Sequence, residues 1–245
     1  MNLPRKARFF WVYPLAVWLF VTANTSEASL RLGALVACFG EALRLWANGY
    51  VGHRKVNTTS QAQPKIGHLI TAGPYAYVRN PLYVGTFIIG LGFCIAVRNI
   101  WAAAGGLVLL AVIYRGKVQE EEEVIQQEWG DEFHAYRQAV PRWVPTFRRP
   151  PHPYGAWSWQ GINASKEFKT VVWVTVGFLA LYFQSAWRQE HALFAGPEAT
   201  THLLLLLLGV VLMASDLLFE GLRLLRRSRS KAHPTPGAAA SERLS

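Results

Sequence analysis

Six apolar blocks, separated by stretches that hold most of the charge, leave this chain few ways to fold. They run over residues 9–23, 30–46, 81–97, 100–114, 170–187 and 202–219. No ten-residue alternation marks a membrane barrel, and an open sheet cannot satisfy its backbone in lipid, so the blocks read as helices. Several fall slightly short of the roughly 20 residues that span hydrocarbon. Flanking residues and arginines that snorkel to the interface make up the difference. Composition agrees: charged residues are 16% of the chain, against about 25% in ordinary soluble domains.

The net charge of +10 raises nucleic acid as a partner, but no polar basic domain exists to hold a duplex, which excludes it. The basic residues instead give an orientation. Segments 1–8, 47–80, 115–169 and 220–245 carry most lysines and arginines, whereas the opposite connections offer only Arg98 and Arg188. The basic side faces the cytoplasm, so both termini lie there and the number of spans is even. The expected site is a bacterial inner membrane. Cys38 and Cys94 each sit inside an apolar run and form neither a disulfide framework nor a metal motif.

The connections organise the chain. Residues 24–29 and 98–99 are tight turns, so the third and fourth helices form an antiparallel hairpin. Residues 116–153 are the largest polar piece. There Val118, Val124, Ile125, Trp129, Phe133 and Tyr136 recur at three- and four-residue steps, which predicts a helix. Gly130 interrupts it, and Pro141 and Pro145 end it. Residues 148–165 read as a surface linker, and the tail from Ser230 as disordered. Glu41 and Arg44 share a helix face near the cytoplasmic end of the second block, where such a pair is either functional or simply inexpensive. The expected fold is all-α: a polytopic integral membrane protein of about six transmembrane helices with a cytoplasmic ligand-binding segment after the fourth. It divides into sections 1–64, 65–147, 148–229 and 230–245.

The chemistry gathers at one end of the hairpin. GPYAYVRNPLYVG, residues 73–85, enters the third helix, and EEEE, residues 120–123, follows the fourth. Antiparallel packing brings Arg79 near those glutamates. Tyrosines 75, 77 and 83 can stack, a guanidinium can hold an anion, and carboxylates can receive an ammonium or ribose hydroxyls. Pro74 and Pro81 stiffen the stretch and Gly73 frees its backbone. Such a set suits a zwitterionic, aromatic-bearing ligand at the bilayer surface. It does not suit a metal, since His53, His68 and His134 are scattered. Each residue has a plainer role too: Arg79 as a headgroup anchor, the glutamates as a solvated face, Tyr83 as an interface-belt ring.

These motifs, with WGDEFHAY at 129–136 and VPRWVP at 140–145, occur in order and at sensible spacing. Residues 65–147 resemble the membrane-embedded methyltransferases related to isoprenylcysteine carboxyl methyltransferase and the phospholipid N-methyltransferases. The resemblance implies S-adenosylmethionine as cofactor and methyl transfer to a lipophilic acceptor that enters from the bilayer. It assigns Arg79, Pro81 and Tyr83 to the motif shaping the cofactor pocket, Glu121 and Glu122 to its paired acidic positions, and Tyr136 to its second tyrosine. Gly73, Tyr75 and His68 join the cofactor side; Arg137, with Arg79 and the two glutamates, joins the catalytic set. Asn80 stands where the isoprenylcysteine branch has histidine, and Phe133 where a tyrosine is usual. The first departure weakens a specific expectation of a prenylcysteine carboxylate, so a lipid amine and a thiol stay open. Rival readings are an NADPH-dependent reductase of the sterol type, separable by which cofactor binds, and a non-enzymatic transporter or scaffold. No internal repeat of the kind transporters show is visible.

Overall fold

The computed structural model of the protein describes residues 12–51, 69–147, 153–165, 167–190, 193–194 and 196–232. Among them the regular structure is entirely helical: α1 (Val12–Val21), α2 (Glu27–Val51), α3 (Pro81–Val97), α4 (Ile100–Ala139), α5 (Trp159–Ser165), α6 (Glu167–Glu190) and α7 (Ala199–Ala232), with a 3-10 turn at Gly73–Ala76. The chain divides into two compact units, Met1–His191 and Ala192–Ser245. The described part of each apolar block overlaps a helix. The segments Glu167–Gln189 and Ala199–Leu222 are long and apolar enough to cross a membrane, and Pro81–Val97 is a shorter apolar helix. Exposed Trp173, Leu204 and Val211 coat the two long ones with apolar surface, which water does not tolerate at this extent, so the protein is membrane-associated.

Local chemistry sets the helix ends. Ser26 and Ser29 cap each other reciprocally at the start of α2, each backbone N–H donating to the other's hydroxyl. The Ser29 hydroxyl also contacts the Ala96 carbonyl, tying the start of α2 to the end of α3. Pro81 occupies the first turn of α3, where its missing N–H costs nothing. Arg98 closes that helix in the left-handed conformation at φ 53°, making the tight turn into α4.

The first unit is built on α2 and α3. A Cβ on Gly33 would lie 2.5 Å from the Gly92 carbonyl oxygen, and one on Gly40 would lie 2.6 Å from that of Gly85. Glycine at these positions lets the two backbones touch, the small-residue packing that membrane helices use where no hydrophobic drive exists.

Three sequence expectations are modified. The fourth apolar block and the acidic run share one continuous helix, the first part of α4, rather than a span followed by a separate element; Gly130, non-helical at φ 47° and ψ −115°, divides α4 into two helices across a kink. The expected linker 148–165 contains α5, and Ser230–Ala232, expected to be disordered, continue α7. Most of the loop between α2 and the 3-10 turn, with His68, and the tail beyond Ala232 lie outside the described residues.

Gly40→Leu forces side-chain atoms into a backbone contact, and overpacking of this kind typically costs about 1–3 kcal/mol. The variant is expected to show a lowered apparent Tm in detergent by intrinsic fluorescence. Gly221→Ala, a helical site with nothing within 4 Å, is expected to leave the Tm unchanged or slightly raised.

Candidate functional site

The site assembles around one carboxylate. Glu122, in the middle of α4, is buried, and its two oxygens accept from three side chains. Oε1 receives Arg79 Nε at 3.2 Å, Asn80 Nδ2 at 3.1 Å and Arg142 Nε at 3.2 Å; Oε2 receives Arg142 Nη2 at 2.6 Å. The Arg79 and Glu122 side chains are each 8% exposed. Burial alone would push the Glu122 carboxyl up, but the Arg142 hydrogen bonds, the Arg79 charge and Asn80 outweigh it and hold the group below its ordinary value.

Arg79 does a second job. Its Nη1 donates to the carbonyls of Arg137 at 2.9 Å and Val140 at 3.0 Å, at the end of α4. Those carbonyls have no intrahelical partner, and a cation there also suits the helix dipole. The backbone completes the join: Arg79 N–H donates to Pro141 O, and Thr146 N–H to Tyr77 O. The VRN and VPRWVP motifs are therefore stitched together. Beside them Leu69, Phe133, Tyr136 and Val140 form a buried cluster, and the Tyr136 hydroxyl donates to Tyr75 O at 2.7 Å. Burial pushes the hydroxyls of Tyr75 and Tyr136 well above the usual tyrosine range, so both stay protonated donors.

The neighbouring glutamate is different. Glu121 Oε1 accepts the Tyr83 hydroxyl at 2.7 Å. The Tyr83 ring packs 5.1 Å from Tyr114, and Lys117 Nζ lies 5.3 Å over its centroid, within cation–π range. Phe87 joins Tyr114 to Trp143, meeting the Trp143 ring edge-on at 5.8 Å.

Two cavities border this framework. A polar one of about 500 Å³ is lined by Gln119, Glu122, Glu123 and Gln126 of α4 together with Arg137 and Arg142. An apolar one of about 530 Å³ lies between α3 and α4, with Val84, Phe87 and Leu91 on one wall, Leu107, Ala111 and Arg115 on the other, and Trp143 at its edge. Residues 107, 111, 115, 119 and 123 advance by four, a row that winds round the helix, so the two cavities lie one after the other along α4. Consecutive residues divide them: Arg142 lines the polar cavity and Trp143 the apolar one.

Arg79, Tyr83, Glu121, Glu122, Tyr136 and Arg137 are brought together, but in different capacities. Glu122 and Arg137 line the polar cavity, whereas the Arg79 guanidinium is committed to protein acceptors. Pro81 and Gly73 (φ 63°) shape the backbone, and Tyr75 contributes its carbonyl. His68 lies outside the described residues. Sequence reasoning missed Arg142, Gln119, Glu123 and Gln126. The four-residue spacing of 115, 119 and 123 was a usable signal; nothing local marked Arg142 as the second partner of Glu122. Arg44 does not pair with Glu41. It donates to Glu167 of α6, to Leu82 O and to Thr86, while Asn48 also donates to Glu167. Both Glu41 oxygens are buried without a hydrogen-bond partner among the described residues.

Comparison with known proteins agrees with this part of the chain. A family profile described as phospholipid methyltransferase matches residues 28–132. The chain is 32% identical over 108 residues to a protein-S-isoprenylcysteine O-methyltransferase of Schizosaccharomyces pombe, covering 44% of this chain and 46% of that one. It is 28% identical over 128 residues to the Homo sapiens protein of the same name, covering 52% and 42%. It is also 28% identical over 120 residues to the nickel-cobalt-cadmium resistance protein NccN of Alcaligenes xylosoxydans xylosoxydans, covering 49% and 51%. The chain spans about half the length of the curated relatives it matches. No solved structure matches significantly. The chain is related, at a distant to moderate level, to isoprenylcysteine and phospholipid methyltransferases.

Removing either partner of a buried ion pair leaves an uncompensated charge, a loss of about 3–5 kcal/mol. Arg79→Ala and Glu122→Ala are each expected to lower thermal stability in detergent by that order. Because the folded pKa of Glu122 is depressed from 4.5, its contribution is complete above that value and is lost as pH falls through the lowered one. An acid titration of unfolding should therefore show a limb below pH 4.5 in the native protein that Glu122→Gln, less stable at neutral pH, lacks.

Proposed function

We propose that this protein is an integral membrane methyltransferase that moves a methyl group from S-adenosylmethionine to a lipophilic acceptor at the cytoplasmic membrane face. The observation that carries this reading is the succession of an apolar and a polar cavity along α4, with Trp143 lining the one and Arg142 the other. Successive stretches of one helix then offer adjoining places for a zwitterionic cofactor and for a greasy acceptor. The names of the isoprenylcysteine O-methyltransferase relatives point the same way, as does the match over α2, α3 and most of α4, although the name of NccN does not. The distribution of lysine and arginine supports a six-span reading with both termini in the cytoplasm, in which the polar cavity lies on that side of the bilayer.

The residues fit the cofactor by donor set. The polar cavity pairs two carboxylates, Glu122 and Glu123, with two guanidinia, Arg137 and Arg142, among side-chain amides. Arg137 and Arg142 suit the carboxylate of the cofactor, Glu123 suits its ammonium, and Gln119 and Gln126 suit ribose or base edges. Bound there, S-adenosylmethionine supplies an activated methyl on a sulfonium, so the protein has mainly to align and desolvate. Arg79, Asn80 and Glu122 act as the frame that holds Arg142 and the end of α4 in place. Tyr83 orients Glu121, whose second oxygen is left to accept a proton from an amine or thiol acceptor. A carboxylate acceptor needs no such base.

Isothermal calorimetry of S-adenosylmethionine and S-adenosylhomocysteine with the purified protein tests the reading. Binding is expected for both and is expected to weaken at least roughly tenfold in Arg137→Ala and Glu123→Ala, as for loss of a charge-assisted hydrogen bond. Folded protein that binds neither ligand, and binds NADPH instead, would overturn the assignment. Glu121→Gln is expected to lower kcat with little change in cofactor affinity and to remove the acid limb of the pH–rate profile if the acceptor carries a proton.

A further inference from the structure

We propose that Glu167 is a positioning residue of the site: it holds Arg44 against the first turns of α3, and Glu41 is the competing carboxylate to which Arg44 passes when Glu167 lets go. The inference rests on the function above and names how its base is kept in place, because the gripped turns carry Tyr83, the partner of Glu121. Glu167 lies in α6, beyond residue 132 where the match to the family profile ends.

The grip joins three helices. Glu167, 1% exposed at the start of α6, accepts Arg44 Nε on Oε1 and Asn48 Nδ2, at 2.8 Å, on Oε2. Arg44 Nη1 is left for α3, where it donates to Leu82 O at 3.1 Å and to the Thr86 hydroxyl. The arginine stem lies on the α3 backbone, since a Cβ on Gly85 would stand 2.5 Å from Arg44 Cγ. Leu82, Gly85 and Thr86 are three and four residues apart and share one face of α3. Tyr83, the residue after Leu82, is turned about 100° from that face. It reaches α4 instead, where its hydroxyl donates to Glu121 at 2.7 Å. The rotation of α3 about its own axis is therefore set on the α2 side by Arg44 and read on the α4 side by Tyr83.

The competitor stands on the same helix. Glu41 precedes Arg44 by three residues, a spacing at which an acid and a guanidinium meet. It is 7% exposed, and neither of its oxygens has a hydrogen-bond partner among the described residues. A buried carboxylate left in that state is costly, and Arg44 is the cation whose charge acts on it. One guanidinium thus serves two buried acids. Pairing with Glu167 keeps it on α3. The Glu41 side chain leans toward the N-terminus of α2, and α2 and α3 run antiparallel, Gly33 meeting Gly92 and Gly40 meeting Gly85. Pairing with Glu41 therefore draws Arg44 away from the start of α3 and frees the turn that aims Tyr83. Catalytic geometry tolerates little of this, since a misplacement of about 1 Å can cost about 100-fold in rate.

The test reads Tyr83 directly, by fluorine NMR of the whole protein in detergent with fluorinated tyrosine incorporated. Tyr83→Phe assigns the signal, and Glu121→Gln shows where it lies without its carboxylate partner. Glu167→Gln is expected to move the signal toward the Glu121→Gln position, and Glu41→Gln to leave it in place. In the double variant Glu41→Gln/Glu167→Gln no rival acid remains, and Arg44 keeps Leu82 O, Thr86 and the new amide oxygen as acceptors. The signal is expected to return toward its native position, which a role of Glu167 in merely packing α6 does not produce. Thr86→Val deletes one contact with α3 but spares the ion pair, so it keeps the proposal testable if the Glu167 variants fail to fold; a shift in the same direction is expected. A Tyr83 signal that stays put in Glu167→Gln or in Thr86→Val, or that does not return in a folded double variant, overturns the proposal. Calorimetry with S-adenosylmethionine separates the two readings. Shifts as expected in native-like protein that does not bind it keep the coupling and sink the methyltransferase assignment, whereas intact binding with an unmoved Tyr83 sinks the coupling alone.

Discussion

A buried carboxylate with two guanidinium partners is the constraint on which the site depends. Glu122 lies on a helix continuous with an apolar block, where an unpaired charge would be intolerable. Arg79 and Asn80 come to it from the start of α3, and Arg142 from the segment after α4. Three segments far apart in sequence are fixed to one pair of oxygens. The second hand of Arg79 then satisfies the carbonyls that α4 leaves free at its end. Loss of the central group would loosen Arg79 and Arg142 together, while the backbone bonds from Arg79 to Pro141 and from Thr146 to Tyr77 still tie the VPRWVP segment.

The kink at Gly130 turns that arrangement into a container. A straight 40-residue helix would carry Phe133 and Tyr136 away from the hairpin. With a backbone angle that only glycine adopts at little cost, the last turns of α4 instead fold their aromatic residues onto Leu69 and return the chain to Arg79. Gln126 secures the bend by donating to Gly130 O at 3.0 Å. Arg142 and Trp143 then stand side by side facing cavities of opposite character.

A second polar knot holds α6 to the same core. Glu167 at the start of α6 takes Arg44 and Asn48 of α2, and Arg44 reaches the first turns of α3. Glu167 lies beyond the stretch shared with the phospholipid methyltransferase family, while its partners lie within it. The C-terminal part of this unit is thus joined to the family-like core by a buried ion pair as well as by apolar packing. Such a pair does more for the choice of one arrangement than for stability.

The sequence by itself determined the helical, membrane-associated class, the hairpin of α3 and α4, the bend at Gly130 and the stop before Pro141. Each follows from period, length or a residue with restricted backbone angles, all of which are local. It also brought Arg79 near the acidic run, because a two-residue turn leaves the hairpin no other geometry. Tertiary structure alone decided that Glu122 rather than Glu121 is the buried member, that Arg142 is its second partner, and that Arg44 prefers Glu167 over Glu41 three residues away. Those choices depend on distances and desolvation between segments remote along the chain. Periodicity reports which face of a helix is covered, but not by what.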